Sequence, residues 1–333
     1  MKVPARPERL PLLGFVFASL LSLSAVVMAM AMAMAANQPP SEAGPSSATQ
    51  PSPGGALPDI SGMAWMMDDL FVVVHDVKHH KSLQQPRVSL LRLPDGTAGI
   101  QLRNQAPAWP SAGGAAHDLE SIARIPDSRE LLLVESGDEG SEFRRIFHGR
   151  LNGERLQLVN ALTWPLPVRN VEGSAVARVG ERLIFLYAER AHGQATTSIR
   201  WADLTLDPLR LGRFQQVPFT SLETRGPHSR PVSALEVDRQ GNLYAASTVD
   251  SGDNNGPFRS KVWRIGRITG ENEGRPRVIL DADPQLLATL DGLKVEALAI
   301  REMARSRPEL FIGVDDENYG GTVRSIPLPT TNP

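Results

Sequence analysis

Asp118-Leu119-Glu120-Ser121-Ile122-Ala123 is followed by the polar turn Pro126-Asp127-Ser128 and then by the apolar run Leu131 to Val134. A short strand, a turn and a second strand rich in branched residues predict a β-hairpin. Four other segments have the same form: Asp59-Ile60-Ser61-Gly62-Met63-Ala64, Asn170-Val171-Glu172-Gly173-Ser174-Ala175, Pro231-Val232-Ser233-Ala234-Leu235-Glu236 and Lys294-Val295-Glu296-Ala297-Leu298-Ala299. They recur at roughly 50 to 60 residues, the spacing of large propeller blades rather than of helical repeats.

Each copy leads into an apolar second strand: Leu70 to Val74, Leu131 to Val134, Leu183 to Ala188, Leu243 to Ser247 and Leu310 to Val314. More openly alternating third strands follow at Val88 to Leu93, Arg145 to His148, Ser198 to Trp201, Lys261 to Ile265 and Thr322 to Ile326. Fourth strands are readable around Ile100, Leu156 to Val159, Leu211 to Phe214 and Arg277 to Leu280. Four antiparallel strands per repeat, with no long amphipathic helix between them, predict an all-β chain folded as a propeller of about five four-stranded blades, with room for a sixth. A sandwich is the runner-up, but it does not need the same opening segment in every unit. The last copy reaches Pro327 without a fourth strand, so the ring is expected to close with a strand from the other terminus.

The N-terminus reads as a targeting segment. Lys2, Arg6 and Arg9 precede an apolar run from Leu10 to Ala36 that ends in the small-x-small pattern Ala33-Met34-Ala35. Residues 1–36 are expected to be a signal peptide, or an uncleaved anchor, since the run approaches the length that spans a bilayer. Residues 37–58 are Pro, Ser, Gly and Ala with few bulky side chains, and are expected to form a disordered linker before a propeller domain at 59–333. The protein is therefore expected to be exported, periplasmic or secreted, with a membrane contact only if the first segment stays attached.

With a formal net charge of -2, nothing draws the chain to nucleic acid. Cysteine is absent, which excludes disulfides, thiolate metal sites and cysteine nucleophiles. No Gly-x-Ser-x-Gly elbow, His-Glu-x-x-His, P-loop or dinucleotide glycine fingerprint is present. Aromatic residues make up 5%, too few for a stacking platform.

In an up-and-down blade, first-strand starts and second-strand ends share one face. That face gathers His117, Asp118, Glu120, Asn170, Glu172, Lys294 and Glu296 with His75, Asp76, Glu135, Asp138, Glu189, Arg190, Asp250, Asp253, Asp315, Asp316 and Glu317. The opposite turns mix Asp, Arg, Gln and Gly without a theme. One repeat position carries Ser61, Glu120, Glu172, Ser233 and Glu296, and three glutamates converging on an axis repel unless neutralised. Glu120, Glu172 and Glu296 can hold Ca²⁺, which takes several oxygen ligands in flexible geometry. Equally, they can pair with Arg169, Arg190, Arg230 or Lys294 with no metal. His75, His117 and Asp118 are the candidate catalytic groups, and the other reading of each histidine is a local hydrogen bond. His79 and His80 read as solvated. The loop Asp250 to Gly256 has calcium-loop composition but lacks the EF-hand order, and reads as a turn.

The order of the repeats resembles the phytase-like propeller family named for an "esterase-like activity of phytase". Asp118-Leu119-Glu120-Ser121-Ile122-Ala123 leading to Val134-Glu135 resembles its early strand pair, and Val171-Glu172-Gly173 leading to Ala188-Glu189-Arg190 resembles its middle Glu-Gly repeat. Val295-Glu296-Ala297-Leu298 followed by Val314-Asp315-Asp316-Glu317-Asn318-Tyr319-Gly320 resembles its closing strand and loop. Ser121 and Ala297 stand where that family has Gly. The resemblance implies a propeller and hydrolysis of an ester or phosphoester, and names no catalytic residue.

Two functions follow. The first is an exported propeller whose acidic, Ca²⁺-binding central face takes a small ligand or a protein partner, as a monomer. The second is a metal-dependent ester or phosphoester hydrolase. An acidic rim repels polyanionic phosphates unless cations bridge them.

Overall fold

The second strand of each repeat is apolar without alternation, which suits a strand buried on both faces. In the computed structural model this is the environment it finds. The structure describes residues 57–78, 85–95, 99–110, 113–138, 140–191, 194–221, 227–270, 275–304 and 306–328. The expected signal segment, the linker up to residue 56, and His79 and His80 lie outside these residues.

Five antiparallel sheets form the five blades of a β-propeller. Blade one comprises β1 (Gly62–Met67), β2 (Leu70–Val74), β3 (Val88–Arg92) and β4 (Gln101–Gln105). Blade two comprises β5 (Leu119–Arg124), β6 (Glu130–Glu135), β7 (Arg145–Asn152) and β8 (Arg155–Thr163). Blade three comprises β9 (Val171–Val179), β10 (Arg182–Glu189) and β11 (Thr196–Leu206), and its outer position is split into β12 (Leu209–Leu211) and β13 (Gln215–Thr220), both paired with β11. Blade four comprises β14 (Ser229–Val237), β15 (Asn242–Asp250), β16 (Phe258–Gly270) and β17 (Pro276–Asp291). Blade five has three strands, β18 (Val295–Arg301), β19 (Glu309–Asp315) and β20 (Gly321–Ile326).

The inner strands close a ring, β1 against β5, β5 against β9, β9 against β14, β14 against β18, and β18 back against β1. Hydrophobic cores fill the spaces between blades. In β6, Leu131 and Leu133 face blade one beside Val72 and Val74, while Leu132 and Val134 face blade three beside Phe185 and Tyr187. Alternate residues of one strand thus serve two cores, and each large side chain buried in this way contributes about 1.5–3 kcal/mol. Blades five and one share the core of Ile60, Met63, Trp65, Phe71, Ala297 and Phe311.

The ring closes at the N-terminal side of the domain, as the three-stranded last blade requires. Leu57 forms a bridge with Gly321 of β20, and the Gly321 amide donates to the Leu57 carbonyl at 2.6 Å. Leu57 is also part of the core between blades five and one, so packing begins two residues before the expected boundary. Among the described residues, no helix is long and apolar enough to cross a membrane.

Candidate functional site

Each of the three glutamates is the extra residue of a β-bulge between the first and second strands of its blade. Leu119 pairs with Glu135 and Ser121 with Val134, so Glu120 has no opposite number. Val171 pairs with Glu189 and Gly173 with Ala188, leaving out Glu172. Val295 pairs with Val314 and Ala297 with Gly313, leaving out Glu296. A bulge bends its strand and re-aims the extra side chain. Two residues earlier, Asp118 (φ 57°) and Asn170 (φ 58°) take the left-handed conformation that Asp and Asn tolerate best. Their carbonyls accept the amides of Ser136 and Arg190, each at 2.9 Å, and the Lys294 carbonyl accepts the Asp315 amide at 3.0 Å. One backbone pattern therefore sets all three glutamates.

The glycine beside Glu172 has a packing reason. A Cβ on Gly173 would lie 2.7 Å from the Leu235 nitrogen of the neighbouring inner strand. In blade two, Ser121 occupies this place and its hydroxyl bonds the Ser174 hydroxyl and accepts the Ser174 amide, both at 2.8 Å.

Glu172 and Glu296 are neutralised by protein cations. Arg190 Nε donates to Glu172 Oε1 at 2.5 Å. Arg230 Nη1 donates to Glu296 Oε1 at 2.7 Å, lies 3.5 Å from Glu172 Oε2, and the same guanidinium pairs with Asp250. Lys294 Nζ is 3.2 Å from Glu296, 3.1 Å from Asp315 and 2.5 Å from Glu317. Of the four cations named as partners, Arg190, Arg230 and Lys294 pair with these two glutamates. Arg169 instead approaches Asp138 at 3.6 Å.

Glu120 differs. It is 5% exposed, and among the described residues no hydrogen bond or ion pair reaches its carboxylate. Burial, then the nearby Asp76, Asp118, Glu172 and Glu296, push its pKa well above the usual carboxylate range. Ligand oxygens of Asp76, Asp118 and Glu120 all lie within 4.8 Å of one another. Lys78 lies beside this group, 3.1 Å from Asp118 and 3.4 Å from Asp76, and its side chain is 36% exposed. Burial works to raise the Asp118 pKa, but the hydrogen bond with Asp76, Lys78 and the Ser136 hydroxyl outweigh it and hold the group below its ordinary value.

The remaining rim groups are engaged locally. Glu135 is fully buried, accepts Arg145 Nε at 2.9 Å and Nη2 at 2.5 Å, and receives the His117 amide at 2.9 Å. Glu189 accepts Arg200 Nη1 at 2.7 Å. Asp316 accepts the Lys294 amide at 2.7 Å and Asp315 the Glu317 amide at 3.2 Å. In the loop after β15, Asp250 accepts the Gly252 amide and Asp253 the Asn255 amide, each at 2.9 Å, as in turns. His75 Nδ1 donates to the Asp59 carbonyl at 2.6 Å and Nε2 faces Ser89 Oγ at 2.9 Å, and burial pushes the ring toward its neutral form. His117 packs its ring on Phe143, with centroids 4.3 Å apart.

The structure thus divides the expected trio, leaving Glu120 beside Asp76 and Asp118. Sequence reading places Asp76 and Asp118 on the rim but misses Lys78. The signal lay in the ring order: the end of the second strand in blade one abuts the start of the first strand in blade two, where the Asp118 amide donates to the Val77 carbonyl at 3.2 Å.

No protein-family model matches the chain, and no curated protein matches it. Among solved structures, an exo-β-1,3-galactanase from Phanerochaete chrysosporium, crystallised with β-1,3-galactotriose, is 10% identical with a TM-score of 0.48, over 86% of this chain and 64% of that one. A thermostable family-43 glycoside hydrolase is 11% identical with a TM-score of 0.44, over 86% of this chain and 98% of that one. The Bombyx mori GH32 β-fructofuranosidase is 11% identical with a TM-score of 0.44, over 85% of this chain and 63% of that one. The chain thus spans less than two thirds of the galactanase and of the fructofuranosidase. The assignment of five blades rests on the strand pairing and the closed ring of inner strands.

Proposed function

We propose that the acidic mouth of the propeller is a divalent-cation site formed by Asp76, Asp118 and Glu120, and that the cation-loaded face docks a small oxygen-rich ligand or a protein partner. The observation that carries this reading is the buried Glu120 carboxylate, unpartnered among the described residues, with oxygens of two aspartates within 4.8 Å. A buried carboxylate among like charges needs a proton or a cation. Ca²⁺ is the expected ion, because hard oxygen donors suit it and three carboxylates leave coordination positions for water and ligand. Lys78, about a third exposed, can swing outward as the ion enters.

The test is thermal unfolding in EDTA and across Ca²⁺ and Mg²⁺ titrations, with Glu120→Gln alongside. A cation that raises the midpoint of the parent and not of the variant supports the reading. A midpoint that no divalent ion moves overturns it.

A second reading is an ester or phosphoester hydrolase. It is favoured by adjacent carboxyl groups displaced in opposite directions, Glu120 upward toward its neutral form and Asp118 downward toward its ionised form. That is the division of labour between a general acid and a base or nucleophile. The resemblance to phytase-like propellers names the bond class. Turnover of an ester and phosphoester panel, lost in Glu120→Gln and in Asp118→Asn, is its test.

A further inference from the structure

The inner strands carry a second constellation at their other ends, about 13 Å along the axis from the glutamates at four residues' rise. There the ring encloses a cavity of about 240 Å³ to which all five inner strands contribute, with Trp65, Arg124, Val176, Glu236 and Ile300 among its walls. This volume suits a small metabolite rather than a nucleotide or a chain segment.

Ion pairs cross from blade to blade around the mouth of this cavity. Asp127 of blade two lies 3.8 Å from Arg178 Nε of blade three and 3.4 Å from Arg239 Nη2 of blade four, and Arg239 Nε lies 3.7 Å from Glu302 of blade five. Inside this belt, Arg124 and Glu236 have no ion-pair partner among the described residues. The Arg124 guanidinium stacks on Trp65, 4.6 Å from the ring centroid, which fixes its plane. Its one hydrogen bond among the described residues, to the Ser128 carbonyl at 3.4 Å, uses Nε. Among the described residues, Glu236 Oε1 accepts only the amide of its neighbour Val237, at 2.8 Å.

The two groups come from different sides of the ring. Arg124 and Arg178 belong to blades two and three, and Glu236 and Glu302 to blades four and five, with the apolar side chains of Val176 and Ile300 between them on the wall. A ligand that completes both needs an anionic and a cationic group on one small body, with an aliphatic flank. We propose that this cavity is a binding site for a small zwitterion of α-amino-acid chemistry, its carboxylate on Arg124, its ammonium on Glu236 and its side chain against Val176 and Ile300. The planar guanidinium matches a carboxylate with two parallel hydrogen bonds. Burial pushes Glu236 up to about 8, and an arriving ammonium favours its ionised form.

The experiment is calorimetric titration of the full chain in EDTA with leucine and valine, with the carboxylic acids that lack their amino group, and with the amines that lack their carboxylate. EDTA keeps the acidic mouth out of the measurement. Binding of an aliphatic amino acid is expected, weakened about tenfold or more when either charged group is missing, since each removal deletes a charge-assisted hydrogen bond. Arg124→Gln and Glu236→Gln are expected to weaken it by a similar factor. No heat with either amino acid at millimolar concentration overturns the proposal. So does equal affinity for the amino acid and its carboxylic analogue, or unchanged affinity in both variants. The analogue series decides the matter without the variants, should either fail to fold.

Discussion

Arg230 stands between Glu172 and Glu296, its Nη1 2.7 Å from one oxygen of Glu296 and 3.5 Å from one of Glu172, and it links the inner strands of blades three and five from blade four. The same guanidinium pairs with Asp250, and only 11% of its side chain is exposed. Arg230 thus bridges three carboxylates, sharing Glu172 with Arg190 and Glu296 with Lys294 and pairing with the half-buried Asp250. Arg230→Met is expected to lower the unfolding free energy by about 3–5 kcal/mol, because it leaves buried charge uncompensated. Urea denaturation measures the loss, and adding Glu296→Gln should recover part of it.

Glu120→Gln is expected to act in the opposite direction in the absence of metal. The folded state raises the Glu120 pKa, so its favourable contribution is complete at low pH and is lost as pH rises through the folded value. Glutamine keeps the uncharged form at every pH. The variant's midpoint in EDTA should exceed the parent's by a margin that grows with pH, while the Ca²⁺ response disappears. At 100 times its dissociation constant, the ion should add about 2.7 kcal/mol to the parent alone.

At the other mouth, Glu236 gives a pH dependence with a defined window. Its pKa rises from 4.5 to about 8, chiefly through burial, with Glu302 and Asp238 adding to the shift and Arg124 opposing it. The unfolded chain releases this proton first, so stability should fall as pH rises from 4.5 to about 8 and then level off. In Glu236→Gln, urea midpoints measured across that range in EDTA should lose this component of the slope.

Gly173→Ala places a methyl group 2.7 Å from the Leu235 nitrogen and 2.9 Å from the Ala234 carbonyl carbon, both backbone atoms of β14. Two inner strands must move apart to admit it. The expected cost is about 1–3 kcal/mol by urea denaturation. Gly99→Ala, which meets nothing within 4 Å, should stay within about 0.5 kcal/mol of the parent.

The blades were legible because their signals are local. Leu131 to Val134 announces a strand buried on both faces, and Pro126-Asp127-Ser128 announces its turn, without reference to the rest of the chain. The seam at Leu57 was not, since a single bridge to Gly321 carries no hydrophobic pattern. The acidic face was legible as a set of residues but not as a set of pairs. Which glutamates meet an arginine depends on how far Arg190 and Arg230 reach across the ring, a three-dimensional quantity that spacing does not encode. The opposite mouth looked themeless for the same reason, because Asp127, Arg178, Arg239 and Glu302 make sense only as partners between different blades.

The bulges have a consequence for how this chain can change over generations. Glu120, Glu172 and Glu296 are each supernumerary in the pairing of their strands, so their ladder neighbours already match without them. Removing one codon at any of these places closes the ladder, and inserting one reopens it, while the inter-blade cores keep their register on both sides. Charge on the axis can thus be gained or lost by a one-residue indel, whereas the blades themselves evolve by ordinary substitution.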